Sequence, residues 1–262
     1  MKKSVFDIPS AVIAALFLFL GSAGAYASGV QGSGDLAKKT FRIGDISSVD
    51  FGAACRLVIT QGSETKLELI TDKNLMNYFT VSDRGGTLRI DQERNVNGSK
   101  EPVFNLMVRD LTRLELSGSG TVESRGFSTG SHKTRLTGSG KIRYGRLTAK
   151  DVFLELTGSG TISVDDCRTI GLKTLVSGSG GITVEGSGVV DTLEAVITGS
   201  GTCDTSKLRV LDVEARITGS GSLALIAENT LESVITGSGI ITYSGSPSMD
   251  TNITGRGRIR KR

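Results

Sequence analysis

A four-residue motif, Ser or Thr followed by Gly-Ser-Gly, recurs eight times down the second half of the chain. The copies begin at Ser117, Thr137, Thr157, Ser177, Thr198, Thr218, Thr236 and Thr254, and only the last departs, with Arg256 in place of the Ser. The steps between copies are 20, 20, 20, 21, 20, 18 and 18 residues. Self-similarity at so short a period predicts a solenoid, in which each repeat buries its apolar face only against its neighbours. Such spacing specifies architecture and leaves the chemistry unspecified.

A flexible Gly/Ser linker has no reason to carry apolar residues at fixed offsets, and here they are fixed. Immediately before each motif stands Leu116, Leu136, Leu156, Val176, Ile197, Ile217, Ile235 or Ile253. Two residues after each closing Gly stands Val122, Ile142, Ile162, Ile182, Cys203, Leu223, Ile241 or Ile259. Within the repeats the pattern alternates with period two, as in Val152, Leu154 and Leu156 against Phe153 and Glu155, which predicts strands. Each repeat therefore reads as strand, Gly-Ser-Gly corner, strand and a variable second corner, with no room for a helix. The fold class is all-β, a right-handed parallel β-helix of ~20-residue coils, the hand following the rule for parallel crossovers. Seven steps of ~4.8 Å make a rod roughly 35 Å long.

The structural residues of the corner are Gly118, Gly120, Gly138, Gly140, Gly158, Gly160, Gly178, Gly180, Gly199, Gly201, Gly219, Gly221, Gly237 and Gly239. A bend between strands uses φ > 0, and stacked corners bring backbones close together. The Ser and Thr hydroxyls between them are expected to hydrogen-bond along the ladder or to backbone groups. An alternative is a regular hydroxyl array that binds ice, sugar or ions.

Residues 1–27 read as a signal peptide: Lys2 and Lys3, an apolar run from Ala11 to Leu20, and Ala25-Tyr26-Ala27 as a small-x-small cleavage site. This predicts an exported chain, in the periplasm or at the cell surface, with no integral membrane span after cleavage. Residues 28–40 read as a flexible leader, 41–112 as a β-rich N-terminal cap continuous with the solenoid, 113–255 as the β-helix, and 256–262 as a basic tail. The cap carries a candidate short helix at Asp72 to Tyr78, capped by Asp72 and anchored by Leu75, Met76 and Phe79. Three cysteines, Cys55, Cys167 and Cys203, permit at most one internal disulfide, with Cys203 in a core column and any bridge joining Cys55 to Cys167. No metal spacing links them, and no cofactor motif appears.

The chain carries a formal charge of +4, of which Arg256, Arg258, Arg260, Lys261 and Arg262 supply five positive charges and the signal segment a net +1, leaving the body at −2. That basic tail reads either as a cover for the open end of the solenoid or as a contact for anionic envelope polymers. Nucleic acid is not an expected partner, because the basic residues lack an aromatic platform. Five residues before each first Gly, an outward column runs Arg113, Lys133, Phe153, Lys173, Glu194, Glu214, Glu232 and Asp250, turning from basic to acidic along the rod. It reads as a solvated face or as a polarised surface that orients a partner or stacks rods. Leu175, Val196 and Val234 are apolar at an otherwise outward position, marking a contact surface or packing beneath the variable corners.

Phe51-Gly52-Ala53, Val58-Ile59-Thr60-Gln61-Gly62, Asp72-Lys73-Asn74-Leu75 and Gly86-Thr87-Leu88-Arg89-Ile90, followed by the Ser-Gly-Ser-Gly repeats, resemble the bacterial auto-transporter adhesin, head GIN domain family over residues 41 to 250. The resemblance implies an exported β-helical module with an adhesive or envelope role and no catalytic residues to carry over. Nothing after Thr254 is expected to supply the outer-membrane barrel that self-export requires.

Parallel β-helices also host polysaccharide lyases and hydrolases. Candidate carboxylates are Asp165, Asp166, Asp191, Asp204 and Asp212, but their offsets from the corner differ, so they form no single column. The chain has no Trp and four Tyr, few surfaces for a sugar groove. Gly126-Phe127-Ser128-Thr129-Gly130 with His132 matches a nucleophile elbow in letters only, since that device needs a strand feeding a helix, and His132 reads as a surface or edge residue. Asp165 and Asp166 together suggest either a calcium-binding corner or a solvated turn. The reading is a non-catalytic binding or structural module of the cell envelope, contacting an envelope polysaccharide or surface protein. Its alternatives are a carbohydrate-active enzyme and a self-assembling scaffold, a homo-oligomer.

Overall fold

The computed structural model describes residues 29–262, so the signal peptide expected over 1–27 lies outside the described residues. The repeats form a parallel β-helix. In its first half each coil has three legs, as in Ser131–Gly138, Lys141–Tyr144 and Leu147–Thr148, and each leg pairs in parallel with its counterpart one coil on. In the second half the later legs merge into long bent strands, Gly181–Gly199, Thr202–Gly219 and Ser222–Gly237. The merger begins where the 21-residue step falls, and there the register shifts between Thr183 and Val189. The predicted columns fill the interior: Leu136, Leu156, Val176 and Ile197 form one ladder, and Ile142, Ile162, Ile182 and Cys203 another, all essentially inaccessible, and only on the last coil does the first column come to the surface, with Ile253 41% exposed.

The two glycines of a corner are needed for different reasons. The first has positive φ in every copy, between 99° for Gly118 and 121° for Gly178, a backbone region that L side chains rarely adopt. The second is needed for room: a Cβ on Gly160 would lie 2.6 Å from the Gly140 carbonyl oxygen and 2.7 Å from Leu136 Cδ2. That closeness lets the Gly138 carbonyl accept from both Ser159 N and Gly160 N at 3.0 Å, and the pattern repeats at the corner before, where Gly118 O accepts from Ser139 N and Gly140 N. Backbone groups join the corners, where the sequence suggested a hydroxyl ladder. Ser159 is exposed, and its hydroxyl makes no hydrogen bond among the described residues.

The cap departs from chain order. Ser48–Phe51 lies between Arg113–Gly118 and Thr87–Gln92, and Arg56–Gln61 lies between Thr121–Ser124 and Val103–Val108, all in parallel. Residues 48–61 are thus a true coil, turning at Gly52-Ala53-Ala54-Cys55, and the segment from 87 to 108 makes the outermost one. Antiparallel strands close the end: Phe79–Arg84 on one sheet, Lys66–Asp72 and then Leu36–Phe41 on the other. Phe104 centres this packing, its ring centroid 5.5 Å from Phe79 and 6.3 Å from both Phe41 and Phe51.

Four local expectations change. The flexible leader expected over 28–40 is not free over its described residues, 29–40, because Val30–Gln31 pairs with Val96–Asn97 and Leu36–Phe41 is an edge strand of the cap. The helix is a 3₁₀ segment, Lys73–Tyr78, with Leu75 buried, but Asp72 does not cap it. Its carboxylate instead accepts from Gly34 N at 2.6 Å, Ser99 N at 2.7 Å and Ser99 Oγ at 2.8 Å, pinning the N-terminal segment. Burial acts to raise the Asp72 pKa, yet those hydrogen bonds outweigh it and hold the carboxyl below the usual range. The basic tail at 256–262 is not a tail, since Arg258–Lys261 is a strand pairing in parallel with Ile240–Ser244. All three cysteines are free and buried, so no bridge joins Cys55 to Cys167. Burial pushes their thiols up, to about 12 for Cys55 and Cys167 and about 11 for Cys203, far from reactive thiolates.

These contacts predict a contrast within one corner. Gly160→Ala, forced against two neighbours on the preceding coil, costs about 1–3 kcal/mol in chemical denaturation, whereas Ser159→Ala stays within about 0.5 kcal/mol of the parent. Equal losses at the two positions would return the hydroxyls to a structural role.

Candidate functional site

The first legs of successive coils line up a concave groove of about 680 Å³ across the strands, from Thr112 to Thr230. One wall is the column Ser131, Asp151, Gly171, Thr192, Asp212 and Thr230, each residue the register partner of the one before. The other wall, two residues on, is part of the charged column: Lys133, Phe153, Lys173, Glu194, Glu214 and Glu232. Gly171 interrupts the first wall, and its neighbours crowd the position a Cβ would take, with Asp151 Oδ1 3.0 Å and Thr192 Oγ1 3.5 Å away.

The groove is electrostatically graded. At its first half Lys133 Nζ sits 4.7 Å from the centroid of the half-buried Phe153 ring and Lys173 Nζ 6.0 Å, a cation–π arrangement. Lys173 also pairs with Glu194 at 2.6 Å, bridging the change of sign. Beyond it Glu214 pairs with Arg216, while Asp151, Asp212 and Glu232 have no ion pair among the described residues; Asp212 accepts a hydrogen bond from the Thr230 hydroxyl at 2.6 Å. Two lysines thus face five carboxylates in this lining. Beside the charged column Leu175 and Val196 stand on adjacent coils as a half-buried apolar strip, interrupted by Arg216 before Val234, which is 39% exposed.

His132 closes the groove from within and is no surface residue, being 2% exposed. Its Nδ1–H donates to the Leu111 carbonyl at 2.9 Å, and Nε2 faces the Thr134 and Tyr144 hydroxyls at 2.9 and 3.0 Å. Burial depresses its pKa from 6.5 to about 4, outweighing the Leu111 hydrogen bond and the Asp110 charge, so the ring is neutral. Ser128 lies elsewhere, its amide donating to Gln61 Oε1, so no nucleophile–base pair forms.

The candidate carboxylates are not brought together. Asp165 pairs with Arg143 at 2.8 Å, and Asp166 Oδ2 with Arg146 at 2.7 Å and Arg168 at 3.2 Å, while Asp166 Oδ1 is buried with no hydrogen-bond partner among the described residues. Asp191 lies exposed on the second-corner ridge, Asp204 accepts from Ser206 N, and only Asp212 enters the groove. Arg256, Arg258, Arg260, Lys261 and Arg262 are exposed on the last coil, outside the groove, with no ion pair among the described residues. The sequence reading found the charged column and missed the interruption of the other wall. Its signal was Gly171, a glycine at an offset where neighbouring repeats carry Asp151, Thr192 or Asp212.

The family model for putative auto-transporter adhesin, head GIN domain, matches residues 45–247. The chain belongs to this family. Solved structures share the fold: a putative lipid binding protein from Parabacteroides distasonis (TM-score 0.84, 24% identity, covering 89% of this chain and 99% of that one) and a putative adhesin from Parabacteroides merdae (0.80, 21%, 89% and 98%). A putative adhesin from Bacteroides fragilis aligns with TM-score 0.66 at 20% identity, covering 89% of this chain and 100% of that one. Among curated proteins none matches. Among the described residues no helix is long and apolar enough to cross a membrane.

The buried imidazole sets a pH dependence. His132 stays neutral in the fold and takes up a proton in the unfolded chain below pH 6.5, so its contribution is present above that value and is lost as pH falls toward about 4. The loss is on the order of 3 kcal/mol. Denaturation midpoints across this range should fall more steeply for the parent than for His132→Gln; parallel slopes would mean the ring is already charged or solvated in the fold.

Proposed function

We infer that this GIN-domain chain is an exported, non-catalytic binding module of the bacterial cell envelope, which engages a surface polymer or protein through the groove-bearing face of the β-helix. The observation that carries the reading is the graded groove itself, in which fixed columns of hydroxyl, carboxylate, lysine and phenyl groups line a long open concavity. Such a lining suits multivalent, preorganised contact with an extended ligand, because the ladder has already ordered its side chains. The candidate acids of a lyase or hydrolase are dispersed, and two of the five, Asp165 and Asp166, are engaged by arginines, which favours binding over turnover. The family name supports the same direction.

A second depression of about 590 Å³ is flanked by Ile170 and Val189, 51% and 46% exposed, with Lys150 and Arg168 in its lining. This pairing of apolar and cationic groups favours an anionic amphiphile as a second ligand, in keeping with the name of the Parabacteroides distasonis relative.

The test is a binding screen of the processed chain against envelope polysaccharides and surface proteins. Saturable binding that falls about tenfold in Phe153→Ala/Lys173→Ala and survives Arg258→Glu/Arg260→Glu places recognition in the groove. Binding lost only with the arginines assigns it to the charge of the last strand, and turnover of a polysaccharide would overturn the non-catalytic reading.

A further inference from the structure

Two surfaces on this rod carry opposite, unneutralised charge and cannot meet within one molecule. In the groove Asp151, Asp212 and Glu232 lack ion-pair partners among the described residues, and Asp151 and Glu232 are exposed. On the last coil Arg258 and Arg260 project outward from the strand Arg258–Lys261, on the side opposite the inward Ile259, and Arg256 and Arg262 flank them. None of these arginines has an ion pair among the described residues either. The ladder fixes both surfaces: Glu232 belongs to the first-leg sheet, in register with Asp250, whereas Arg258 belongs to the second-leg sheet, in register with Ile240.

The groove runs across the strands, with Asp151 and Asp212 three coils apart, ~14 Å along the axis at one strand spacing per coil. Arg258 and Arg260 stand two residues apart on their strand, ~7 Å, with Arg256 at the corner before it and Arg262 just after it. A strand laid along the groove therefore sets its arginines between those carboxylates, and this requires the second rod to lie across the first. Around Arg258 and Arg260 the second-leg face offers only Ser222, Ala224, Ile240 and Thr242, small or uncharged side chains that admit close approach.

We propose that the groove receives the arginine-bearing last strand of a second copy of this chain. Each copy offers one groove and one strand, so the contact is heterologous: it builds chains of crossed rods, or a closed ring where its rotation returns on itself. The attraction is between exposed charges, so salt weakens it steeply. This inference stands apart from the envelope-binding reading, since it is measured with the protein alone.

The experiment is sedimentation velocity on the full processed chain over a concentration series, at low and raised salt. The parent should grow in mass with concentration at low salt and return to monomer as salt rises. Arg258→Glu/Arg260→Glu and Asp151→Lys/Glu232→Lys change exposed residues without ion-pair partners; each variant alone should lose association by about an order of magnitude or more. Mixing the two restores assembly, because each then meets a surface of opposite charge. A parent that stays monomeric at low salt, a variant that assembles like the parent, or a mixture that stays monomeric would each overturn the proposal.

Discussion

The rest of the structure depends on how closely one corner sits on the next. The first glycine of each motif turns the chain at positive φ and offers its carbonyl to the following coil, to two amides in the first three corners and to one after that; the second is bare so that a backbone carbonyl and an aliphatic side chain of the preceding coil can reach it. Because the approach is backbone to backbone, it recurs at every coil whatever the neighbouring side chains are. It fixes the register of both flanking legs, and through them every inward and outward column.

This explains what the sequence made legible. Inward columns such as Leu136, Leu156 and Val176 must be apolar in each repeat, so period and strand alternation are visible without coordinates. The cap was harder, because its coil at 48–61 turns on Gly52-Ala53-Ala54-Cys55 and is covered by a coil formed later in the chain. Pairing partners so remote in sequence leave no periodic mark. Asp72 read as a helix cap since local hydrogen bonding is the usual fate of such a residue, yet Ser99 and Gly34 claim it from distant segments. His132 read as surface because its solvation depends on Leu111 and Tyr144, which only the coil brings together.

The outward columns are where the rod is free to vary, and function is to be sought there. A side chain omitted at Gly171 interrupts one wall, and signs exchanged along Lys173, Glu194 and Glu214 make a gradient, all without disturbing the core beneath. The charged column was plain in the sequence, while the concavity was not, since its shape exists only once the coils are stacked. A scaffold of this kind holds its contact groups in place before any ligand arrives, which lowers the ordering cost of binding.

The most direct test of the account is native-state hydrogen exchange at the corner amides. Ser139, Gly140, Ser159 and Gly160 should exchange only with global unfolding, as slowly as the buried strand amides beside them, because their partners are the glycine carbonyls of the preceding coil. Fast exchange at these four amides beneath slow flanking strands would contradict it, and would mean that the coils are held by their apolar columns alone.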